Sequence, residues 1–385
     1  MNARDRLDLL NYFIMQHNLL QPGFTSVTPL TPVNVLKQTK DKPQAKAWNY
    51  ANKWWCALSA VGGTKIFRLD GTSWTETLTL TTTNSKPDCW VAGDLVHVLL
   101  YKGSTSPLYS IKYDVASNAY KLWSTRPAPV NVTFPSGSET ATLLVDSNGR
   151  MWAAAAGTTE VTVRWSDSPY STWSAPITIA TGVNDDDICA LTVIPSQNKI
   201  GILWSNQNTK RFGFRTHTDN TSPGSWSADE VPASQSAIDN VGKGMADDHI
   251  NIVAASDGTL YCAVKTGYDN LAYPESILLV RRTSGTWDNA YTVSNNGTQA
   301  VVVLNEVLGK VKVIYTTATG GGNIVCRESS TSNISFGSEI PLMSGVLNYA
   351  SSTHQTHDPD VVILATDETS TPWRALSVLA SDAST

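Results

Sequence analysis

The sequence predicts an all-β protein, a seven-bladed β-propeller, on three observations. A four-strand unit recurs seven times, at a mean spacing of roughly 50 residues that suits propeller blades. Charged residues make up only 16% of the chain while 13 Trp are present, a composition of half-exposed strands and tight turns. The last unit lacks a fourth strand, and a strand-like segment with no unit of its own, Ser26 to Leu36, stands ahead of the first.

The elements follow in order. Residues 1–22 carry an apolar stripe, Leu7, Leu10, Phe13 and Ile14, which predicts a short amphipathic helix and a possible docking face for a protein partner. Asp5 and Asp8 interrupt that stretch, so it does not read as a signal peptide. Residues 23–385 are assigned to the propeller, with blades at about 43–83, 84–135, 136–186, 187–241, 242–296, 297–345 and 346–385. Second strands are apolar runs: KWWCALSAV, LVHVLLYKG, RMWAAAAG, IGILWSNQ, LYCAVKTG, VKVIYTTA and DVVILATD. Turns such as SNGR, ASDGT, EVLGK and VAGD precede most of them. Third strands follow, and fourth strands open on an aromatic or Gly, as in SWTETLTL, TWSAPITIA, SWSADEVPA and TWDNAYTVS. An open ring would leave a bare sheet edge, so 26–36 is predicted to complete the last blade.

Two repeated features read as scaffold. Trp74, Trp173, Trp226 and Trp287 each follow a turn rich in Gly, Ser or Asp and are expected to pack between blades. A basic residue recurs in the third strands, at Arg68, Lys112, Arg164, Arg215, Arg281 or Arg282, and Arg327. Inter-blade pairing explains a repeated position better than a substrate clamp does.

The balance of charge excludes some partners. The formal net charge is -5, whereas a phosphate backbone selects basic faces, so nucleic acid is not an expected partner. No apolar run approaches the roughly 20 residues that span a bilayer. Five cysteines, with no C-x-x-C spacing, read as buried free thiols and not as a disulfide framework or zinc site. No metal and no cofactor is expected.

In a propeller the leading ends of the innermost strands gather around one mouth of the central channel, a concavity that ligands favour. Here those ends are polar: Lys42, Gln44 and Lys46; Lys86 and Asp88; Glu139; Asp185, Asp186 and Asp187; Asp247, Asp248 and His249; Gln299; His354 and His357.

Two stretches carry a resemblance. SDSPYSTW, Ser166 to Trp173, resembles the Asp-box of sialidase-type propellers, with Ser168 where the Asp is expected and Tyr170 where the Gly is. GMADDHINIVAASDGTLYCAVKT, Gly244 to Thr266, and IGILWSNQN, Ile200 to Asn208, resemble bacterial BNR-repeat propellers, a group that includes uncharacterised extracellular proteins and ulvan-lyase-type polysaccharide lyases. The resemblance implies an extracellular or cell-surface setting and a polysaccharide partner. Ligand contacts are expected at Asp187, Asp247, Asp248 and His354 among the polar strand ends, at Trp204 and Asn206 in IGILWSNQN, and at Lys265 and Tyr273 nearby. If chemistry operates, a lyase of that kind uses a base, a cation and an acid; the motif offers His249 as base, with Arg281, Arg282 or Lys265 as candidate cation and Tyr268, Tyr261 or Tyr273 as candidate acid. Carbohydrate binding is the first functional expectation. β-Elimination on a uronic-acid glycan is the second, and an adhesive or structural role in a surface or virion appendage the third.

Overall fold

The computed structural model describes residues 23–40 and 42–382; the helix predicted over 1–22 lies outside them. Among the described residues the structure is all-β, with two short 3-10 turns at Pro195–Gln197 and Ser234–Ser236.

Strands that follow one another in sequence pair antiparallel. Ala47–Tyr50, Lys53–Ala60, Gly63–Asp70 and Ser73–Thr81 form one such group. In the next, Lys86–Ala92, Leu95–Tyr101 and Thr105–Asp114 pair in turn, and Ala119–Leu122 and Val130–Thr133 share the outer edge. Thr142–Val145, Met151–Ala156, Glu160–Ser166 and Ile177–Thr181 follow. Then come Cys189–Ile194, Lys199–Asn206 and Arg211–Thr218. The fourth strand predicted there from SWSADEVPA is reduced to isolated bridges, Phe214 with Glu230 and His217 with Trp226. Ile250–Ala254, Leu260–Lys265, Ser276–Arg281 and Tyr291–Ser294 regain the four-strand pattern. Thr298–Asn305, Lys310–Thr316 and Gly322–Ser330 lead into a long strand, Ile340–Ser351, whose first half pairs back and whose second half pairs forward with Asp360–Asp367.

The expected closure is present. Ser26–Pro29 and Val33–Val35 both pair with the last strand, Trp373–Ser381, setting Ser26 opposite Ser381 and Val35 opposite Trp373. Asp360–Asp367 is thereby an interior strand, between Ile340–Ser351 and Trp373–Ser381, and its apolar run is buried: Val361 to Ala365 are fully buried.

Hydrogen bonds between innermost strands run around most of a circle, and apolar packing between Cys189–Ile194 and Ile250–Ala254 fills the remaining junction. Asp88 accepts from the amides of Ala45 and Leu143, the Thr142 hydroxyl from Leu191 and Asn251 from Val302. His357 then donates to Leu304, and the Ser352 carbonyl accepts from Lys46 and Ala47. Side chains from distant stretches therefore meet about one axis.

The tryptophans reach back to the preceding sheet, as expected. Trp226 meets Trp152 edge-on at 5.8 Å, Trp287 meets Phe214 at 5.3 Å, and Trp74 donates to Ser377 Oγ at 2.9 Å. In the Asp-box-like turn Tyr170 holds φ 63°, the left-handed conformation for which the motif uses Gly. All five cysteines are buried and free. The recurrent bases mostly pair within their own sheet, as Arg68 with Asp70 and Arg215 with Asp229. Arg281 does reach a neighbouring group, pairing with Glu230 at 2.8 Å, and Arg68 also donates to the Asn118 carbonyl of the next group at 2.6 Å.

Candidate functional site

A cavity of 450 Å³ opens where the leading ends of the inner strands converge, lined by Gln38, Lys40, Lys42, Lys86, Glu139, Asp186, Asp248, His249, Gln299 and Tyr349. Successive sheets each contribute a side chain. Gln38, Lys40 and Lys42 come from the linker between the closing strands and Ala47–Tyr50. Two bulges aim further groups inward. The register shifts between Thr298 and Val301 and between Asn348 and Ser351, and Gln299 and Tyr349 there hold φ of 57° and 62°. Lys42, with φ 58°, is held the same way. Left-handed backbone in non-Gly residues is costly and concentrates at functional sites.

Asp248 organises the charges. Its Oδ1 lies 2.7 Å from His249 Nδ1 and its Oδ2 2.7 Å from Lys42 Nζ. Lys42 also pairs with Glu139. Burial alone would raise the Asp248 carboxyl, but His249 and Lys42 outweigh it and hold it well below the carboxylate range. Burial likewise opposes charge on Lys42, and Asp248 and Glu139 together lift it above its ordinary value. For His249 burial wins over Asp248, and the imidazole sits below its usual range. The Asp248 contact assigns the ring proton to Nδ1 and makes Nε2 the acceptor.

Lys40 differs from Lys42. It is buried and donates to the carbonyls of Gln299 and Ala300 at 2.9 and 2.8 Å. Burial pulls its amine down to about 7, Asp248 opposing and Lys42 and Lys46 adding to the fall. Glu139, Asp186 and Asp248 each bring one carboxylate oxygen within 4.8 Å of the others, a spacing that suits a cation, and the Lys42 ammonium pairs with two of them.

A second cleft, of 560 Å³, lies beside the mouth over Asp247, Lys265, Tyr268, Asn270, Glu275 and Asn295. Lys265 Nζ links the two spaces, 3.0 Å from Asp247 and 3.8 Å from Asp248.

The residues expected from sequence divide accordingly. His249 and Asp248 line the mouth, and Asp247, Lys265 and Tyr268 line the second cleft. The Tyr268 hydroxyl accepts from the Ile238 amide, and Tyr273 stands 5.9 Å away, ring to ring. Others fall elsewhere. Arg281 is buried against Glu230 and Phe214, away from His249. Asp187 accepts from the amides of Asn184 and Gln207, a loop-capping role, and its neighbour Asp186 reaches the mouth. Trp204 lies beneath Gly213, where an added Cβ would come within 2.2 Å of its ring, and Asn206 caps Thr209; both line a separate groove. His354 sits against Asp88 and Trp90 and not at the mouth, because the inner part of the long strand presents Tyr349 there. Sequence reasoning missed Gln38, Lys40 and Tyr349. The polar run KQTKDK, 37–42, was the available signal for the first two.

The sequence matches no protein-family model and no curated protein. Solved structures share the fold at low identity. A protein of unknown function from Dyadobacter fermentans superposes with a TM-score of 0.54 at 12% identity, over 93% of this chain and 100% of that one. The polysaccharide lyase Uly1 gives 0.55 at 9% identity, over 94% and 99%. A PL25 ulvan lyase bound to -[GlcA(1-4)Rha3S]- gives 0.53 at 9%, over 90% and 95%.

Proposed function

We propose that the sheets are the blades of a seven-bladed propeller and that the chain binds a polysaccharide at the mouth of its channel. One observation carries this reading: amide, carboxylate, imidazole, phenol and ammonium groups from successive sheets line a single open cavity. Such a set, on a rigid frame, suits a polyhydroxylated ligand. The likeness in fold to polysaccharide lyases agrees with it. A glycan array followed by titration calorimetry tests it. A bound polysaccharide is expected, with affinity reduced at least tenfold by Lys42→Met; no glycan bound by the wild type would refute the reading.

A second reading, β-elimination, is favoured by the presence of His249, Tyr349 and lysines in that one cavity. Neutral His249 would take the proton alpha to a uronate carboxylate while a lysine ammonium offsets the carboxylate charge. The electron pair forms the C4–C5 double bond, the C4–O bond breaks, and the Tyr349 hydroxyl protonates the departing oxygen. Tyr349 replaces Tyr268 in this scheme, and Lys40, Lys42 or Lys86 replaces Arg281. The unsaturated product absorbs near the ultraviolet edge. Absorbance should rise with a uronate polysaccharide and vanish in His249→Ala; flat traces with ulvan, alginate, pectin and glycosaminoglycans would remove this reading for those substrates.

A further inference from the structure

We infer that the cleft over Asp247 and Lys265 is a second sugar subsite continuous with the mouth, so that the ligand is an extended chain lying across both. This rests on the polysaccharide reading and adds a requirement for chain length.

The two spaces share a wall. Asp247 and Asp248 are consecutive, yet Asp247 faces the outer cleft and Asp248 the mouth. Lys265 lines the outer cleft and pairs with both carboxylates across that wall, so the ammonium that a ligand meets in the outer cleft is tied to the Asp248 carboxylate of the mouth. The outer cleft is also the larger, at 560 Å³ against 450 Å³, and both fall within the range of small-molecule sites.

The outer cleft is preformed by a backbone clasp. The Lys243 amide donates to the Gly267 carbonyl at 2.7 Å, and the Gly267 amide donates to the Gly244 carbonyl at 2.9 Å. An added Cβ on Gly242 would stand 2.4 Å from the Gly267 oxygen, so only Gly permits this approach. At the rim Leu271 is 74% exposed, and Asn295 pins its carbonyl at 2.9 Å. An exposed apolar side chain beside amides and carboxylates offers a surface for the C–H face of a sugar ring and partners for its hydroxyls. Burial holds the Glu275 carboxyl above its usual range, with Lys265 opposing.

The test uses the full chain and ulvan oligosaccharides of two to eight sugar units. Calorimetry should give a Kd for six units at least tenfold below that for two. In the double variant Leu271→Ala with Asn295→Ala that ratio should fall below threefold. Both positions are at the surface, and a melting curve checks that the variant is folded; the wild-type length series stands as a test without it. Binding that ignores length, or a ratio kept by the variant, overturns the subsite and leaves the polysaccharide reading standing. No binding at any length, by this series and by the array, sinks both.

Discussion

Asp248 holds its neighbours in place by accepting from two elements at once: His249 beside it and Lys42 from the linker. Removing one partner from a buried ion pair strands the rest, at a cost of about 3 kcal/mol. Asp248→Asn should therefore lower the urea-unfolding free energy by about that amount, and an unchanged midpoint would contradict the role. Lys40 makes a pH-dependent prediction. Its folded pKa, about 7, lies below the ordinary 10.5, so the unfolded chain binds the extra proton between those values and stability rises with pH across that window. Lys40→Met removes this dependence. The melting temperature of the variant minus that of the wild type should be more positive at pH 6 than at pH 9. Neither Lys40 nor Tyr349 was legible as a site residue. Lys40 belongs to a linker with no strand pattern, and Tyr349 turns inward only because a bulge breaks the alternation of its strand. His249 and Asp248 were legible, because they lead an ordinary inner strand whose alternation is intact.

The closing strands are secured at the element scale by a buried ion pair. Lys312, on Lys310–Thr316, reaches Asp382, just past the last strand, at 2.6 Å, and both side chains are fully buried. Asn305 donates to the same carboxylate at 2.9 Å, and the Phe24 ring covers the ammonium at 4.5 Å. Lys312→Met leaves Asp382 buried without its cation and should cost about 3–5 kcal/mol in chemical unfolding. His357 lies alongside, facing Lys312, Asp382 and Asp358; burial lowers it to about 4, with Asp382 opposing and Lys312 assisting. A depressed histidine favours the fold above the unfolded value of 6.5 and loses that contribution as pH falls toward 4. His357→Asn should therefore flatten the fall in melting temperature between pH 6.5 and 4. Sequence could not supply this lock, since the residues 305, 312, 357 and 382 follow no motif. It did supply the Trp positions and the turn glycines, because each repeats with the unit. The missing fourth strand after Arg211–Thr218 escaped notice because SWSADEVPA matches the repeat in composition while making only isolated bridges.

At the scale of the whole molecule, the arrangement of sheets about one axis makes the site. Glu139, Asp186, Asp248 and Gln299 are far apart in the chain and share one cavity. Removing residues 1–36 takes away the two N-terminal strands that pair with Trp373–Ser381 and bares the edge they cover. The truncated chain should aggregate or melt over a broad range, where the intact chain gives one cooperative transition by calorimetry. An identical melting curve would show that closure adds nothing to stability. The general gathering of polar strand ends was readable from the repeat; which member of each end faces the mouth was not, since that turns on bulges and loop caps such as Asp187.

The backward reach of the tryptophans gives synthesis a direction. As the polypeptide leaves the ribosome, Trp226 and Trp287 each find an earlier sheet already made, whereas Trp74 must await Ser377. A nascent chain halted near residue 340 lacks Ser377 and would leave the Trp74 indole facing water, apolar surface of the kind that makes incomplete folds prone to aggregate.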